Sequence, residues 1–438
     1  MKTGMRNILL AASLALTTGP ALAADPVEIT VQRFFGTCDA DWGTNTDISK
    51  AIGECGIITS QINKFAADNP DIKVNVNTVE WPGYDQLTAQ LASGEPPDLV
   101  TIHESVLSDY QSKGLLQPLD EVLKSAGVDP AGFTAAGREG VTKDGQIFGL
   151  PIDSHTMLWH INMNYFRKAG LVNADGTLIL PKTADELLAQ AKQFKEKVGK
   201  PYLVQSMANE KGAFYRAMYI YLTQMKSDFF ADPTHLKLNT PEAKKIVQLF
   251  KDIYDQDLTT KDQDYAASLS GFTKGDGGVL LNGTWVVGDF DALSKAQGNA
   301  LSDGYTVYPY PPVFGGTPAY WSDGHSWALT KKDRSPEQTA AIQKFLKFMA
   351  DTNFEWARTG HLPAQQAVID SAQFKALPHV TTILDIAATA KPLPAQVRHQ
   401  FAVNDIIGEE VAAAIMGQKE IDAALADAET RVNDLLAN

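Results

Sequence analysis

Apolar and polar residues alternate over 28–35, where Ile29, Val31, Arg33 and Phe35 share one face with the period of a strand. After a Gly/Asp/Thr-rich stretch, Ile58, Ile62, Phe65 and Ala66 recur at helical spacing. Asn69-Pro70-Asp71 stops that helix, and Ile72, Val74 and Val76 then alternate with Lys73, Asn75 and Asn77 as a second strand. Tyr84, Leu87 and Leu91 predict another helix ending at Gly94, and the apolar run 99–102 follows Pro96-Pro97 as a third strand. Strand, helix, strand, helix, strand implies a parallel α/β sheet with right-handed crossovers.

A second block of pattern opens at Phe148-Gly149-Leu150-Pro151, with a strand predicted over 156–161. Thr183 and Glu186 have capping-box spacing ahead of Leu187, Leu188, Ala191 and Phe194. Thr240-Pro241-Glu242 pairs an N-cap with proline at the first helical position, before the stripe Ile246, Val247, Leu249, Phe250 and Ile253. Ser335-Pro336-Glu337-Gln338 repeats that start signal; Gly360 and Pro363 close the helix bearing Phe345, Leu346 and Met349. Pro309, Pro311 and Pro312 stiffen a segment expected to cross between halves, and no repeat of solenoid period is present.

The 438 residues suffice for two or three domain equivalents, and 52 acidic against 38 basic residues argue against a nucleic-acid partner. Residues 1–24 read as a secretory signal: Lys2 and Arg6, an apolar stretch over 8–16, then Ala21-Leu22-Ala23 as cleavage site. No later run reaches the length of a membrane span, so the expectation is a soluble, exported, periplasmic chain acting as a monomer. Cys38 and Cys55 are its two cysteines, and in an oxidising compartment they are read as a disulfide.

Catalytic and cofactor motifs are mostly missing. There is no P-loop, and Gly275-Asp276-Gly277-Gly278 reads as a turn. His103-Glu104 begins a zinc-protease pattern, but Leu107 stands where its second histidine belongs. Ser326, within Gly324-His325-Ser326-Trp327, lacks the flanking glycines of a nucleophile elbow. Asp39, Asp41, Gly43, Asn45 and Asp47 alternate like a calcium loop; Thr44 and Lys50 replace its glycine and bidentate glutamate, which favours a polar surface loop. No acid pair is singled out for glycoside hydrolysis. The chain is therefore read as a non-enzyme without a cofactor.

What stands out is a set of aromatic and hydrogen-bonding residues just after strand signals: Trp81 and Tyr84, Glu104 and Ser105, Asp153 and His155, Trp285, then Tyr320, Trp321 and His325. Ligands of doubly wound sheets bind outside the carboxyl ends of strands. Flat rings suit the C–H faces of a sugar, and carboxylate or imidazole groups take its hydroxyls.

Four segments carry a family likeness. Val79-Glu80-Trp81-Pro82-Gly83-Tyr84 through Ala92-Ser93-Gly94-Glu95-Pro96-Pro97-Asp98-Leu99, Leu150-Pro151-Ile152-Asp153 to Asn162-Met163-Asn164-Tyr165-Phe166, Phe272-Thr273-Lys274-Gly275 with Asn282-Gly283-Thr284-Trp285, and Gly360-His361-Leu362-Pro363 occur in order. Together they resemble the extracellular solute-binding proteins of bacterial ABC importers, the maltose-binding-protein-like family 1. Ile161-Asn162 stands where that family has Y-N, and the Cys38–Cys55 loop is an insertion many members lack.

The resemblance implies a two-lobe periplasmic-binding-protein fold, each lobe a mostly parallel sheet flanked by helices. The first lobe would take 25–152 and 313–362, the second 153–312 and 363–438. A sugar, polyol or glycoside would lie in the cleft and pass, on hinge closure, to a membrane permease. Trp285 would be the stacking platform, faced by Tyr84, Glu104 and Ser105, with Asp153 and His155 at the first crossing. Phe35 and Thr37 would supply first-loop contacts, and the residue pattern adds Trp321 and His325. An anionic sugar or glycerol phosphate is the alternative ligand, for which Arg33, Arg358 and Arg398 are available; a secreted carbohydrate-active enzyme is the lesser one.

Overall fold

A computed structural model describes residues 25–207 and 212–437. The leader assigned to residues 1–24 lies outside the described residues. The three predicted N-terminal strands form as Val27–Arg33, Ile72–Thr78 and Leu99–His103, with the first parallel to both others and between them. Their crossover helices, Gly53–Asp68 and Tyr84–Ser93, start and stop near the predicted positions. Ile29, Val31, Leu99, Val100 and Ile102 are fully buried in one apolar core with Ile58, Ile62, Phe65 and Phe345.

The cap signals are realised. Ser335 and Gln338 exchange both bonds of a capping box, and Thr240 Oγ1 accepts from Ala243 N–H. Thr183 Oγ1 accepts from Glu186 N–H, but the Glu186 carboxylate accepts from Lys182 N–H, one residue ahead of the cap.

The strand predicted over 156–161 is longer, running Gly149–Asn162. Its first part pairs antiparallel with Tyr320–Leu329, and its second part pairs antiparallel with Val279–Gly283. Tyr320–Leu329 in turn pairs antiparallel with Leu99–His103. The resulting mixed sheet orders Ile72–Thr78, Val27–Arg33, Leu99–His103, Tyr320–Leu329, Gly149–Asn162, Val279–Gly283 and Leu203–Val204.

Two apolar cores flank the long strands. Leu150, Ile152 and Trp327 belong to the first; Trp159, Ile161, Tyr320 and Trp321 belong to the second. The two long strands are thus shared by two α/β halves. Tyr310 and Val313 of the proline-rich segment bury in the second core, so the crossing is made by Tyr320–Leu329 rather than by that segment. Among the described residues, no helix is long and apolar enough to cross a membrane.

Candidate functional site

A cavity of about 540 Å³ opens where the two cores leave off. The first half contributes Phe34, Phe35, Thr37, Glu54, Thr78 and Trp81; the second contributes Arg216, Tyr265 and Trp285; His103, His155 and His325 form the floor.

Trp285 is placed by its own strand. Val279–Gly283 ends in a glycine, and the ring folds back over it: a Cβ on Gly283 would lie 1.9 Å from Trp285 Cζ3. Trp285 Nε1–H donates to Tyr265 Oη at 2.7 Å, which fixes the plane of the ring. The Arg216 guanidinium lies 5.6 Å from the Trp285 ring and 4.9 Å from the Trp321 ring, within range of cation–π attraction. On the other side Trp81 is 44% exposed at the cavity edge, leaning on the rings of His103 and Phe401.

The floor follows from strand register. His325 sits opposite both His103 and Asp153 in the sheet, bringing distant positions into contact. Asp153 is fully buried and accepts from His155 Nδ1 at 3.1 Å, His325 Nδ1 at 2.9 Å and Trp356 Nε1 at 2.7 Å. Burial alone would raise its pKa, but His325, His361 and these bonds hold the carboxyl well below the ordinary range. Burial, reinforced by the neighbouring His325, lowers His155 to about 3 and His103 well below its usual value. Burial also disfavours charge on His325, yet Asp153 outweighs it and raises that ring. His103 is braced from behind by Tyr84: the phenol oxygen lies 2.5 Å from Nδ1 and accepts the His103 backbone N–H at 2.9 Å. His361 bridges the halves, with Nε2 2.8 Å from Glu54 and Nδ1 3.1 Å from Thr284 Oγ1.

Of the residues expected at the site, Phe35, Thr37, His155, Trp285 and His325 line this cavity together. Asp153 and Tyr84 lie directly behind the lining, each bonded to a floor histidine. Trp321 and Ser105 line a small adjoining cavity of about 20 Å³ that shares His103 and Arg216. Ser105 donates from its backbone N–H and Oγ to Asp323, and Glu104 is wedged into the wall, where a Cβ on Gly140 would meet it at 1.7 Å. Burial, with the nearby carboxylates of Asp323 and Asp153, raises the Glu104 carboxyl well above its ordinary pKa.

Several lining residues carried no usable sequence signal. Arg216 lies on the helix Gly212–Gln224, buried on nearly every side, and its pattern reads as core. His103 was seen only as a broken protease motif. Of the arginines named for an anion, two serve elsewhere: Arg33 donates to Gly36 O and Thr59 Oγ1, and Arg358 to Ile48 O, Ala51 O and Glu355; Arg398 is exposed and does not line this cavity. Cys38 and Cys55 are disulfide-bonded, which ties the segment after the first strand to the helix Gly53–Asp68. In the acidic loop between them, Asp47 is occupied by Ser49 and Lys50. Among the described residues, the groups able to hold a metal ion are instead the histidine and carboxylate sets around the cavity floor.

Residues 56–352 match the family model of bacterial extracellular solute-binding protein. The sn-glycerol-3-phosphate-binding periplasmic protein UgpB of Escherichia coli O1:K1 is 24% identical over 449 aligned residues, covering 96% of each chain. Among solved structures, maltose-bound MalE3 of T. maritima superposes with a TM-score of 0.76 at 22% identity, over 93% of this chain and 100% of that one. A chitin oligosaccharide binding protein gives 0.77 at 20% identity, over 94% and 100%. The α/β, two-lobe fold that the family resemblance implies is the fold of these structural neighbours.

Proposed function

The chain belongs to the bacterial extracellular solute-binding proteins, and from that premise we propose that it is the exported, periplasmic receptor of an ABC importer for a sugar, polyol or glycoside. The observation that carries the reading is the cavity itself. One wall is the Trp285 ring, fixed through Tyr265; the remaining surface offers histidine, glutamate and threonine groups to hydroxyls. A ring face takes the apolar side of a pyranose or polyol, and the polar groups reject analogues that leave them unpaired. Groups from both halves meet in this cavity, so a bound solute favours the closed arrangement, which a permease reads. No covalent step is required of any residue.

Arg216 favours a second reading of the ligand. A guanidinium over two tryptophan rings at the cavity wall suits an anionic sugar or glycerol phosphate as well as a stacked neutral ring. One experiment separates the two: thermal shift of the mature chain against mono- and disaccharides, polyols and sugar phosphates, followed by calorimetry on the hits. Binding raises the melting temperature by mass action. A neutral solute as best hit supports the first reading, a phosphate ester the second. Turnover of an oligosaccharide to products would overturn both.

A further inference from the structure

We propose that the cavity floor is a binding site for a divalent late transition-metal ion such as Zn²⁺, ligated by Nε2 of His103, His155 and His325. Four of the eight histidines in the chain converge here, and one ligating atom from each of these three lies within 4.8 Å of the other two. All three rings are buried by protein on their outer sides yet line the open cavity.

The arrangement behind the rings is the stronger argument. Asp153 holds Nδ1 of both His155 and His325, at 3.1 and 2.9 Å. A histidine whose Nδ1–H is donated to a carboxylate presents the lone pair of Nε2 on its far side, and metal-ligating histidines are commonly backed this way. His103 Nδ1 lies 2.5 Å from the Tyr84 phenol oxygen, and in the Nδ1–H tautomer, which donates to that oxygen, its Nε2 lone pair is left for a metal. Among the described residues, no hydrogen bond engages Nε2 of these three rings.

Two overlapping donor sets fit less well. Both include His361, whose two nitrogens already meet Thr284 and Glu54, and one includes Asp153, whose oxygens take three side-chain N–H groups. Tetrahedral Zn²⁺ with nitrogens at about 2.0–2.1 Å sets them roughly 3.3–3.4 Å apart, so the rings draw together on binding. His155 and His325 already stack at 4.4 Å with planes 28° apart. Three protein ligands leave the fourth position facing the cavity, open to water or to an oxygen of the solute. Imidazole donors without thiolate suit Zn²⁺, Ni²⁺ or Cu²⁺ rather than Ca²⁺ or Mg²⁺. The site holds whether or not the cavity also takes a sugar, so its test is independent of the solute.

The mature chain, stripped with EDTA and dialysed, is titrated with ZnCl₂ by calorimetry, and a Co²⁺-loaded sample is read by visible absorption. The expected result is one Zn²⁺ per chain and the intense visible bands of tetrahedral, nitrogen-ligated Co²⁺. His155→Asn and His325→Asn each weaken Zn²⁺ binding by about 100-fold or more, beyond the range for backing groups alone, while exposed His235→Asn leaves it unchanged. X-ray absorption at the zinc edge of the unmutated chain needs no variant and should resolve three imidazoles. Fewer than three imidazoles on the ion, no stoichiometric uptake, or unchanged affinity in both floor variants overturns the assignment.

Discussion

Gly283→Ala tests the stacking platform without removing it. The Gly283 backbone, at φ −102° and ψ −175°, lies in the extended region open to any residue, so alanine brings no backbone strain. Its Cβ would nevertheless fall 1.9, 2.2 and 2.3 Å from three atoms of the Trp285 ring. Ordinary contact begins at 3.4 Å, so the ring must retreat by about 1.5 Å, which breaks the 2.7 Å bond from Nε1 to Tyr265 Oη. If the ring stacks on the solute, displacing it forfeits much of the ~1–3 kcal/mol that a large apolar contact supplies, a loss of about 5- to 150-fold in affinity. Calorimetry with the best hit of the thermal-shift panel reads the loss, with circular dichroism as the check on folding. Trp285→Ala should lose a similar amount. In the Trp285→Ala background the added methyl loses its nearest neighbours, so Gly283→Ala should cost nothing further, the non-additivity expected of two changes acting through one contact. Unchanged affinity in both single variants, with the protein folded, would remove Trp285 from the site.

Trp81→Ala should weaken solute binding by roughly threefold to tenfold with little change in melting temperature, because the ring is 44% exposed and leaves no cavity in the core; an equal loss of stability would assign it to packing instead. Glu104→Gln should leave solute affinity and stability nearly as they are, since burial disfavours charge on this carboxyl and an amide replaces it at equal volume; a large loss of affinity would put its charge in the site. Cys38→Ser with Cys55→Ser should destabilise by about 3 kcal/mol in the chain-entropy model, read by urea denaturation with dithiothreitol as a second route to the open loop. Asp289 lies against Gly53, and burial, aided by Glu54, raises its carboxyl to about 6. The folded state then holds a proton that the unfolded chain releases near pH 4, so this group's contribution is full below that pH and is lost as pH rises through about 6. Asp289→Asn should match the parent at pH 4 and exceed it by about 3 kcal/mol or less at pH 7.5; an equal difference at both values would refute the titration.

Local signals were read with success where one short segment settles the outcome. The alternation Ile29, Val31 and Ile72, Val74, Val76 places two strands in register, and the Ser335 box opens a helix where it should. Gly53–Asp68 and Tyr84–Ser93 follow from apolar spacing and a glycine or asparagine stop. The floor of the cavity was only partly legible. His325 and Asp153 are 172 positions apart, and the contact between them depends on the register of two long antiparallel strands. Arg216 was invisible for the opposite reason, because a helix buried all round has no polar face to betray one functional side chain.

The strand Gly149–Asn162, much longer than its apolar pattern predicts, explains why the floor is hard to read. Pro151, Asp153, Ser154 and His155 interrupt the apolar run over residues 149–155, yet the sheet continues through them as Gly149–Asn162. In a strand packed on one core those polar groups would carry a heavy desolvation cost. Here the strand leaves one core before entering the other, and the same is true of Tyr320–Leu329, whose Asp323 and His325 sit at the matching level. Polar residues are tolerated in mid-strand because each finds a partner, Asp153 in His155 of its own strand and in His325 across the pair, and Asp323 in Ser105 just beyond the neighbouring strand Leu99–His103. The break in hydrophobic pattern is therefore the local mark of the cavity floor. Replacing His325 by leucine would restore the apolar pattern and, by taking one N–H partner from buried Asp153, should destabilise the chain by about 3–5 kcal/mol rather than stabilise it, as urea denaturation would show.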